Sequence, residues 1–294
     1  MKSDPSRLYH HFMPCNRDPV CSWLILLLAG LLVHGCAVNP VTGKNELSLV
    51  SEASEIRIGD KQYLPTQQSQ GGLYSVDVGL SQYVNEVGKR LAQASDRQLP
   101  YEFVVLNDSV ANAWALPGGK IAVTRGLLLR LSSEAELAAV LAHEIVHAAA
   151  RHGAKTIERG TLLQGALMAA SMRLDKNQDR YGNMIMGSAQ LGAQLISQSY
   201  SRSAELEADQ FGILYMARAG YDPNAAVSLQ ETFVVLSQSQ KQTWLSELFA
   251  SHPPSQERVN RNKQTVFELQ KTIRGDFEVG ADRYQEKLTY LASK

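Results

Sequence analysis

The sequence has no excess of charge of either sign. Its 29 Lys and Arg residues balance 29 Asp and Glu residues, so the formal net charge at pH 7 is zero, and no long run of like charge occurs. Proteins that bind the phosphate backbone of nucleic acids present a basic patch or stripe. The composition therefore argues against a nucleic-acid partner, and we expect none.

The sequence also lacks an apolar run long enough to cross a membrane. The longest run, residues 23–33, contains 11 residues, whereas a transmembrane helix needs about 20. Basic residues precede it and the letters VHGC follow it, which is the order of a secretory signal. Residues 33–36 resemble the cleavage site of bacterial lipoproteins, which implies a signal peptide over residues 1–35 and a lipid on Cys36. Ordinary secretion without a lipid is the alternative.

Cysteine is scarce, which limits how the fold can be stabilised. The chain has three cysteines. Cys15 and Cys21 lie in the predicted signal peptide, and Cys36 is the predicted lipid site. The exported protein is therefore predicted to contain no disulfide, although an oxidising compartment would permit one. The fold must then depend on its own hydrophobic core or on a metal.

Hydrophobic periodicity predicts an α+β domain that is mostly helical. Three short stretches, residues 101–106, 111–115 and 119–124, have the composition and flanking turns of strands and predict a small sheet. Apolar residues at helical spacing predict the remaining elements. These helices are predicted over residues 51–63, 76–94, 133–152, 160–172, 183–199, 201–219, 223–236 and 254–270. Residues 160–199 are interpreted as a helical hairpin packed on the domain, with a lipid-contacting surface as the alternative.

An HExxH motif lies in the helix predicted over residues 133–152. His143 and His147 are about 40° apart around the helix and about 6 Å apart along its axis, so both imidazoles can reach one metal ion. Glu144 lies next to that position. The motif is short, so a third ligand elsewhere in the chain is needed to support it. The metzincin pattern cannot supply one, because Ala150 and Gly153 occupy the positions where that pattern has Gly and His.

A second helix offers carboxylates for this site. Residues 201–212 (SRSAELEADQFG) contain Glu205 and Asp209 four positions apart, so the two share one helix face. Two imidazoles and one carboxylate leave a fourth coordination position open for water, as in zinc hydrolases. Glu207 faces elsewhere and is predicted to be a solvated charge. His152 lies about 140° around a continuous helix from His147, so a structural or surface role is predicted.

Several separate stretches resemble the family 48 metallopeptidases, which include prenyl-protein proteases, mitochondrial quality-control proteases and bacterial periplasmic lipoproteins. In order, they are residues 112–121 (NAWALPGGKI), 143–152 (HEIVHAAARH), 201–212 and 251–259 (SHPPSQERV). The resemblance covers about residues 39–261. It implies a zincin-like metalloprotease domain with a small β-sheet beside the active-site helix, and one Zn²⁺ per chain. The residues it implies are His143, His147 and Glu205 as zinc ligands, Glu144 as the base and Asp209 as a second acidic residue.

The resemblance also implies two features around the metal. Residues Asn112, Ala113, Trp114 and Ala115 would form an edge strand to which an extended peptide substrate adds. Ordinary hairpin packing is the alternative for this strand. His252 would occupy the open zinc position and keep the enzyme latent, as a loop histidine does in related periplasmic members. A loop histidine without a metal is the alternative for His252.

Four segments follow from these patterns. They are a lipoprotein signal peptide (1–35), a tether (36–50), a zinc metallopeptidase domain (51–270) and a C-terminal appendage (271–294). Because Ala37 rather than Asp follows Cys36, we expect a periplasmic lipoprotein anchored to the outer membrane.

The function that we predict is hydrolysis of peptide bonds in misfolded or unassembled cell-envelope proteins by a zinc metalloendopeptidase. Protein or peptide substrates, the membrane and the outer-membrane assembly machinery are the expected partners. The alternative is an envelope chaperone or assembly factor with latent or secondary protease activity. An intramembrane prenyl-protein protease is excluded, because it would need several long apolar spans.

Overall fold

A computed structural model describes residues 36–174, 199–238 and 243–293. The described elements confirm the prediction of an α+β fold that is mostly helical. In chain order they are β1 (Cys36–Val38), β2 (Asn45–Leu47), α1 (Glu52–Ser69), α2 (Val78–Ala92), β3 (Glu102–Leu106), β4 (Ala113–Leu116), β5 (Lys120–Thr124), α3 (Arg125–Leu128), α4 (Glu134–Ala149), α5 (His152–Leu174), α6 (Arg202–Arg218), α7 (Asn224–Ser237), a 3₁₀ turn (Thr243–Leu245), α8 (Ser246–Ser251), α9 (Gln256–Thr272) and α10 (Ala281–Ala292).

Side-chain caps fix where the main helices begin. Ser51 accepts a hydrogen bond from the Ser54 backbone N–H at the start of α1. Ser133 accepts one from the Glu136 N–H at the start of α4. Such caps satisfy backbone donors that the first helical turn leaves unpaired. The two helix starts predicted from Ser51 and Ser133 are confirmed.

The three-stranded sheet has the order β3-β5-β4, with β3 parallel and β4 antiparallel to β5. Ala113 and Ala115 on β4 belong to the main hydrophobic core, whereas Trp114 and Leu116 pack on the opposite face of the sheet. β4 packs against α4 and α1. Gly118, in the turn between β4 and β5, has a φ of +82°, and a Cβ there would lie 2.6 Å from the Ile56 Cα. The Pro-Gly-Gly turn therefore places the sheet directly against α1.

Helix α4 runs through the centre of the main core. Leu137, Leu141 and Ile145 on this helix are completely buried. Its other core positions are largely alanines, and α6 packs along them. A Cβ at Gly212 of α6 would lie 3.3 Å from the His143 backbone nitrogen. Small side chains therefore allow the two helices that carry the predicted site residues to approach closely.

The helix that carries the HExxH motif is shorter than predicted. It ends at Ala149 instead of continuing to residue 152, and α5 begins at His152. Arg151 between them has a φ of 64°, in the left-handed region that non-glycine residues seldom adopt. Its guanidinium donates hydrogen bonds to Glu55 and to the Val50 carbonyl oxygen. We attribute the early end of the helix to these contacts, which offset the backbone strain.

Two other helices differ from the prediction. Helix α1 continues through Pro65 to Ser69, six residues beyond its predicted end at residue 63. The first arm of the predicted hairpin, residues 160–172, lies within α5. The second arm, residues 183–199, falls outside the described residues except for Ser199. No described helix combines the length and the apolar character that a membrane span requires.

The segments predicted as a tether and as an appendage both pack on the domain. The strands β1 and β2 form an antiparallel hairpin, and Asn39 in its turn donates a hydrogen bond to the Ala150 carbonyl oxygen. Tyr284, Leu288 and Leu291 of α10 are buried in the main core. The folded unit thus extends on both sides of residues 51–270, because apolar side chains in both flanking segments find buried positions.

A buried ion network near the end of the HExxH helix joins α1 to Arg97, in the segment after α2, and to Arg151, which follows α4. The Glu55 carboxylate is fully buried and accepts hydrogen bonds from Arg97 Nη1 at 2.9 Å and from Arg151 Nε at 2.5 Å. Glu52 also pairs with Arg97, at 3.1 Å, but its side chain is 59% exposed. The two guanidinium groups depend on Glu55 because it is their buried counter-charge.

We expect Glu55→Gln to lower the free energy of unfolding by about 3 kcal/mol, because Arg97 and Arg151 lose the buried carboxylate that they share. Arg97 then keeps only the exposed carboxylate of Glu52, and Arg151 keeps only that of Glu158, at 3.5 Å. Urea denaturation at pH 7 measures this change. Glu52→Gln is the matched control, since it removes an exposed partner of the same arginine and should cost under about 1 kcal/mol. Equal losses in the two variants would contradict the assignment of Glu55 as the principal counter-charge.

Candidate active site

Three buried side chains and the partly buried His143 converge at the contact between α4, α6 and the segment after α8. His143, His147, Glu205 and His252 each offer one ligand atom, and these atoms lie within 4.8 Å of one another. The Nε2 atoms of His143 and His147 are 2.9 Å apart. His147 Nε2 is 3.3 Å from Glu205 Oε1. Nitrogen lone pairs and a carboxylate directed at one point are the donor set that zinc prefers.

The Glu205 carboxylate fits a site for a cation. Its Oε2 atom is buried and makes no hydrogen bond. Arg258 Nη1 lies 2.7 Å from that oxygen, but without hydrogen-bond geometry. Burial alone would raise the pKa of Glu205, yet the neighbouring imidazoles, His252 first, hold it well below the usual value. A buried anion with a free lone pair is suited to bind a metal ion.

Asp209 and Arg258 fix the orientation of His143. His143 Nδ1 donates to Asp209 Oδ1 at 2.9 Å, so its Nε2 faces the cluster. Asp209 in turn accepts two hydrogen bonds of 2.7 Å from Arg258. Burial would raise the pKa of Asp209, but the Arg258 charge and its hydrogen bonds keep it below the usual value. Asp209 is therefore an anion that accepts from both neighbours.

His147 has a different set of neighbours. Its Nδ1 lies 2.8 Å from His152 Nδ1, and its ring stacks on Tyr200 with centroids 3.9 Å apart. Complete burial holds the pKa of His147 well below its usual value, which favours the neutral imidazole that a metal requires. His152 is buried, as a structural role requires, but it does not lie on the continuous helix assumed in the sequence analysis.

Glu207 was predicted to be a solvated charge, and that prediction is wrong. Its carboxylate lies 3.3 Å from His152 Nε2 and 3.2 Å from Lys44 Nζ. The hydrogen bond from His152 is the main reason that its pKa falls to about 2. The helical break at Arg151 turns His152 toward α6, which the assumption of a continuous helix could not reveal.

Glu144 lies beside the cluster in an apolar setting. The side chain is buried, and its Oε2 has no hydrogen-bond partner. Burial raises the pKa of Glu144, against the opposing effects of His252 and His143. Its other oxygen, Oε1, is 3.4 Å from His252 Nε2. A carboxylate with a raised pKa is suited to accept and return a proton.

His252 belongs to the cluster and does not project from the loop into solvent. Its Nδ1 is 3.1 Å from Glu205 Oε1 and 3.3 Å from His143 Nε2. Burial would lower the pKa of His252, but the carboxylates of Glu205 and Glu144 raise it overall. His252 thus stands where a further ligand of a bound ion, or a substrate group, would have to lie.

The predicted substrate strand lies beside the helix of the motif. Asn112 precedes β4 and donates from Nδ2 to Glu247 Oε2 at 3.2 Å. Ala113 and Ala115 face the core, and Trp114 Nε1 donates to Gln70 Oε1 at 2.7 Å. Within the described residues, β4 is hydrogen-bonded to β5 alone and forms an edge of its sheet.

A cavity of about 60 Å³ opens beside the cluster. His143, Glu144 and His252 line its mouth, and side chains of α4, α6, α7 and α9 form its walls. The walls are mostly apolar and include Val140, Ile213, Met216, Leu229 and Phe233. The shape and chemistry suit one apolar side chain of a bound peptide.

Sequence reasoning gave no role to two residues of this site. Arg258 lies inside the stretch SHPPSQERV, but its hydrogen bonds to Asp209 depend on how α9 crosses α6. Tyr200 immediately precedes residues 201–212, yet no pattern indicates that its ring stacks on His147. For Arg258 the available signal was an arginine in a stretch that already resembled a family motif.

We expect Arg258→Gln to lower the free energy of unfolding by about 3 kcal/mol at pH 7, because Asp209 loses its buried counter-charge. Asp209 has a lowered pKa in the folded protein, so the stability it contributes is present above its unfolded pKa of about 4 and is lost as the pH falls through the folded value. The difference between the two proteins should therefore shrink below about pH 4. Urea denaturation across pH with EDTA present measures both effects.

The control for this prediction is Arg261→Gln, one turn further along α9, where the arginine is exposed. That variant should change the free energy of unfolding by no more than about 0.5 kcal/mol. A loss at Arg258 that does not depend on pH would contradict the assigned pairing with Asp209.

Comparisons with known proteins agree with this geometry. A mitochondrial metalloendopeptidase OMA1 of Schizosaccharomyces pombe is 31% identical over 274 residues, which are 90% of this chain and 77% of that protein. A beta-barrel assembly-enhancing protease of Escherichia coli K12 is 29% identical over 224 residues, which are 75% of this chain and 45% of the relative. A Vibrio cholerae relative is 39% identical over 51% of this chain and 32% of its own length. The chain thus spans less than half the length of these two bacterial relatives.

The match to a protein family covers the whole candidate site. The model of peptidase family M48 matches residues 80–266, which is more than half of the chain and includes the motif helix, α6 and His252. The donor set of the cluster is the one expected for the zinc that this family uses. The chain therefore belongs to peptidase family M48, the family 48 zinc metallopeptidases.

Proposed function

We propose that the chain is a zinc endopeptidase in which His143, His147 and Glu205 hold the ion and Glu144 is the general base. The observation that supports this proposal is the convergence of these ligand atoms within 4.8 Å of one another at a largely buried position. Glu205 Oε2 accepts no hydrogen bond and pairs only ionically with Arg258, and Glu144 Oε2 has no hydrogen-bond partner. Buried polar atoms are seldom left without a partner in a folded protein, and a reacting water would supply one for Glu144.

The side chains divide the work of peptide hydrolysis. Zinc, when bound, lowers the pKa of a coordinated water toward about 7 and polarises the scissile carbonyl group. Glu144 takes a proton from the attacking water and returns it to the leaving amine. Burial raises the pKa of Glu144, so its carboxylate accepts the proton of the water more readily than an exposed glutamate would. The same proton is then available for the leaving amine. Asp209 holds His143 in the tautomer whose Nε2 lone pair faces the ion.

We propose that a peptide substrate binds in extended form along β4. Backbone groups at the edge of a sheet bind such a peptide as an additional strand. Residues Asn112, Ala113, Trp114 and Ala115 supply this edge, beside α4 and its HExxH motif. The apolar cavity next to Glu144 then receives one substrate side chain.

For the biological substrates we propose misfolded or unassembled proteins of the cell envelope. The support is similarity to bacterial proteins named beta-barrel assembly-enhancing proteases, together with the lipoprotein-like residues 33–36. In this proposal, residues 1–35 are a signal peptide, a lipid on Cys36 anchors the chain to the outer membrane, and residues 51–270 carry the catalytic domain between a tether (36–50) and a C-terminal segment (271–294). The outer-membrane assembly machinery is the corresponding partner. An assembly factor with secondary protease activity is the second candidate, since β4 would also bind unfolded clients.

We expect Glu144→Gln to lower the rate of casein cleavage by about 10²- to 10⁴-fold, because the base is removed while its shape is kept. Zinc content, measured by atomic absorption on the full chain purified in detergent, should stay near one per chain. Glu136→Gln is the matched control, because it alters a carboxylate of the same helix about two turns from the motif. That control should cleave casein at the unmodified rate.

Other outcomes of this experiment are also informative. A folded, unmodified chain that binds no zinc would refute the ligand assignment and favour the assembly factor. Zinc in both proteins with cleavage in neither would indicate latency or a narrow range of substrates. Cleavage by Glu144→Gln at the unmodified rate would refute the role of Glu144.

We further propose that His252 holds the enzyme in a latent state by occupying the place of a substrate group. Its contacts with Glu205 and Glu144 support this role. We expect His252→Ala to raise the initial rate of casein cleavage several-fold, with zinc content unchanged. The control is Ser251→Ala, at the end of α8. His152→Ala would not serve as a control, because His152 contacts His147. Unchanged cleavage in His252→Ala would refute the latency proposal.

A further inference from the structure

The two histidines of the HExxH motif are held by unlike groups. His143 donates directly to a carboxylate, Asp209, at 2.9 Å. His147 contacts no carboxylate through its Nδ1; the partner there is the Nδ1 of His152, at 2.8 Å. Both rings of the second pair are buried, so no bulk water competes for this contact. Which of these two Nδ1 atoms carries the proton therefore depends on the other partners of His152.

Two imidazole nitrogens at hydrogen-bond distance share one proton. Either His147 Nδ1 donates to His152 Nδ1, or the direction is reversed. A neutral histidine carries one ring proton, so donation by His147 leaves its Nε2 as a lone pair. Donation by His152 would leave the His147 proton on Nε2, where it would point at the cluster and prevent binding of an ion. Only the first direction is compatible with a metal ligand.

Glu207 selects between these two directions. Its Oε2 lies 3.3 Å from His152 Nε2, and its Oε1 lies 3.2 Å from Lys44 Nζ. A carboxylate only accepts hydrogen bonds, so it favours the form of His152 that carries its proton on Nε2. In that form His152 Nδ1 carries a lone pair and accepts the hydrogen bond that His147 Nδ1 donates. The reverse form would place the Nε2 lone pair of His152 against an anion.

We propose that His152 and Glu207 are positioning residues that set the tautomer of His147 across two hydrogen bonds and thereby direct its Nε2 at the metal. This inference rests on the proposed metal site and extends it with a chain of partners that runs from His147 through His152 and Glu207 to Lys44. Partners of this kind orient metal ligands and raise their basicity.

The backbone is arranged to present His152 in this role. Arg151 adopts its left-handed conformation between α4 and α5, which places His152 five residues after His147 yet in contact with it. Tyr200 stacks on the face of the His147 ring and limits its rotation. Lys44, in the turn before β2, brings the N-terminal hairpin into the same chain of contacts.

The test measures zinc affinity on the full chain, by competition with a chromophoric chelator. We expect His152→Phe, which keeps a ring but removes the acceptor, to weaken zinc binding by about 10- to 100-fold. His152→Asn places an amide oxygen near the position of Nδ1 and should recover most of that loss. Glu207→Gln should weaken binding less, because an amide can turn and no longer selects one tautomer. Bound Co²⁺, read by its visible absorption, should report an altered site in the same order.

Glu158→Gln separates positioning from a general loss of stability. Glu158 is also buried on α5 and accepts from the Leu49 and Val50 N–H groups, but it does not contact the cluster. It lies 3.5 Å from Arg151, which keeps its shorter contact with Glu55 in this variant. This variant should be less stable and should bind zinc with unmodified affinity. Urea denaturation of the metal-free proteins measures how much of any affinity change in the other variants their stability explains, and we expect the affinity change to exceed that part.

Each outcome decides the proposal. Zinc affinity unchanged in His152→Phe and Glu207→Gln, while the unmodified chain binds zinc, refutes the role of both residues and leaves the proposed function intact. If His152→Phe does not fold, the difference in affinity between Glu207→Gln and Glu158→Gln decides. An unmodified chain that binds no zinc refutes the proposed function and, with it, this inference.

Discussion

The close packing of α6 against α4 is the constraint on which the site depends. Gly212 approaches the His143 backbone so closely that its missing side chain determines the distance between the helices. The alanines of α4 extend this contact along both helices. At this distance Glu205 reaches the imidazoles of the motif, and Asp209 reaches His143. A larger side chain at the contact would move both carboxylates away together, so the ligand set and its orienting partner depend on the same feature.

Charge balance explains why so many ionisable groups can be buried there. Glu144, Glu205 and Asp209 are all buried, and Arg258 is the guanidinium that contacts two of them. With all three carboxylates ionised, two negative charges remain, which equals the charge of one divalent cation. Unpaired charges in a protein interior are costly, and a divalent cation would balance these two. Without the ion, protons take its place: burial raises the pKa of Glu144, and the carboxylates of Glu205 and Glu144 raise the pKa of His252.

Local patterns predicted the helices and strands better than the contacts between them. Caps at Ser51 and Ser133 placed two helix starts correctly, because a cap is a contact between residues near in sequence. The end of α4 was misplaced, because Arg151 depends on Glu55, almost a hundred residues earlier in the chain. The same error concealed His152, whose position was computed for a helix that does not continue. Arg258 and Tyr200 were missed for a related reason, since their partners lie on other elements.

The four residues of the cluster are not all held in place by the same contacts. His143, His147 and Glu205 stand on helices α4 and α6, inside the contact that sets their separation. His252 instead follows the last turn of α8, with φ −126° and ψ 74°, and its approach to the cluster is not fixed by helix packing. Arg258 anchors the segment beyond it by donating to the Pro253 carbonyl oxygen while it pairs with Asp209. In the proposed latent state, a substrate therefore has to displace only the His252 side chain, while α4, α6 and the pairing of Arg258 with Asp209 keep their positions.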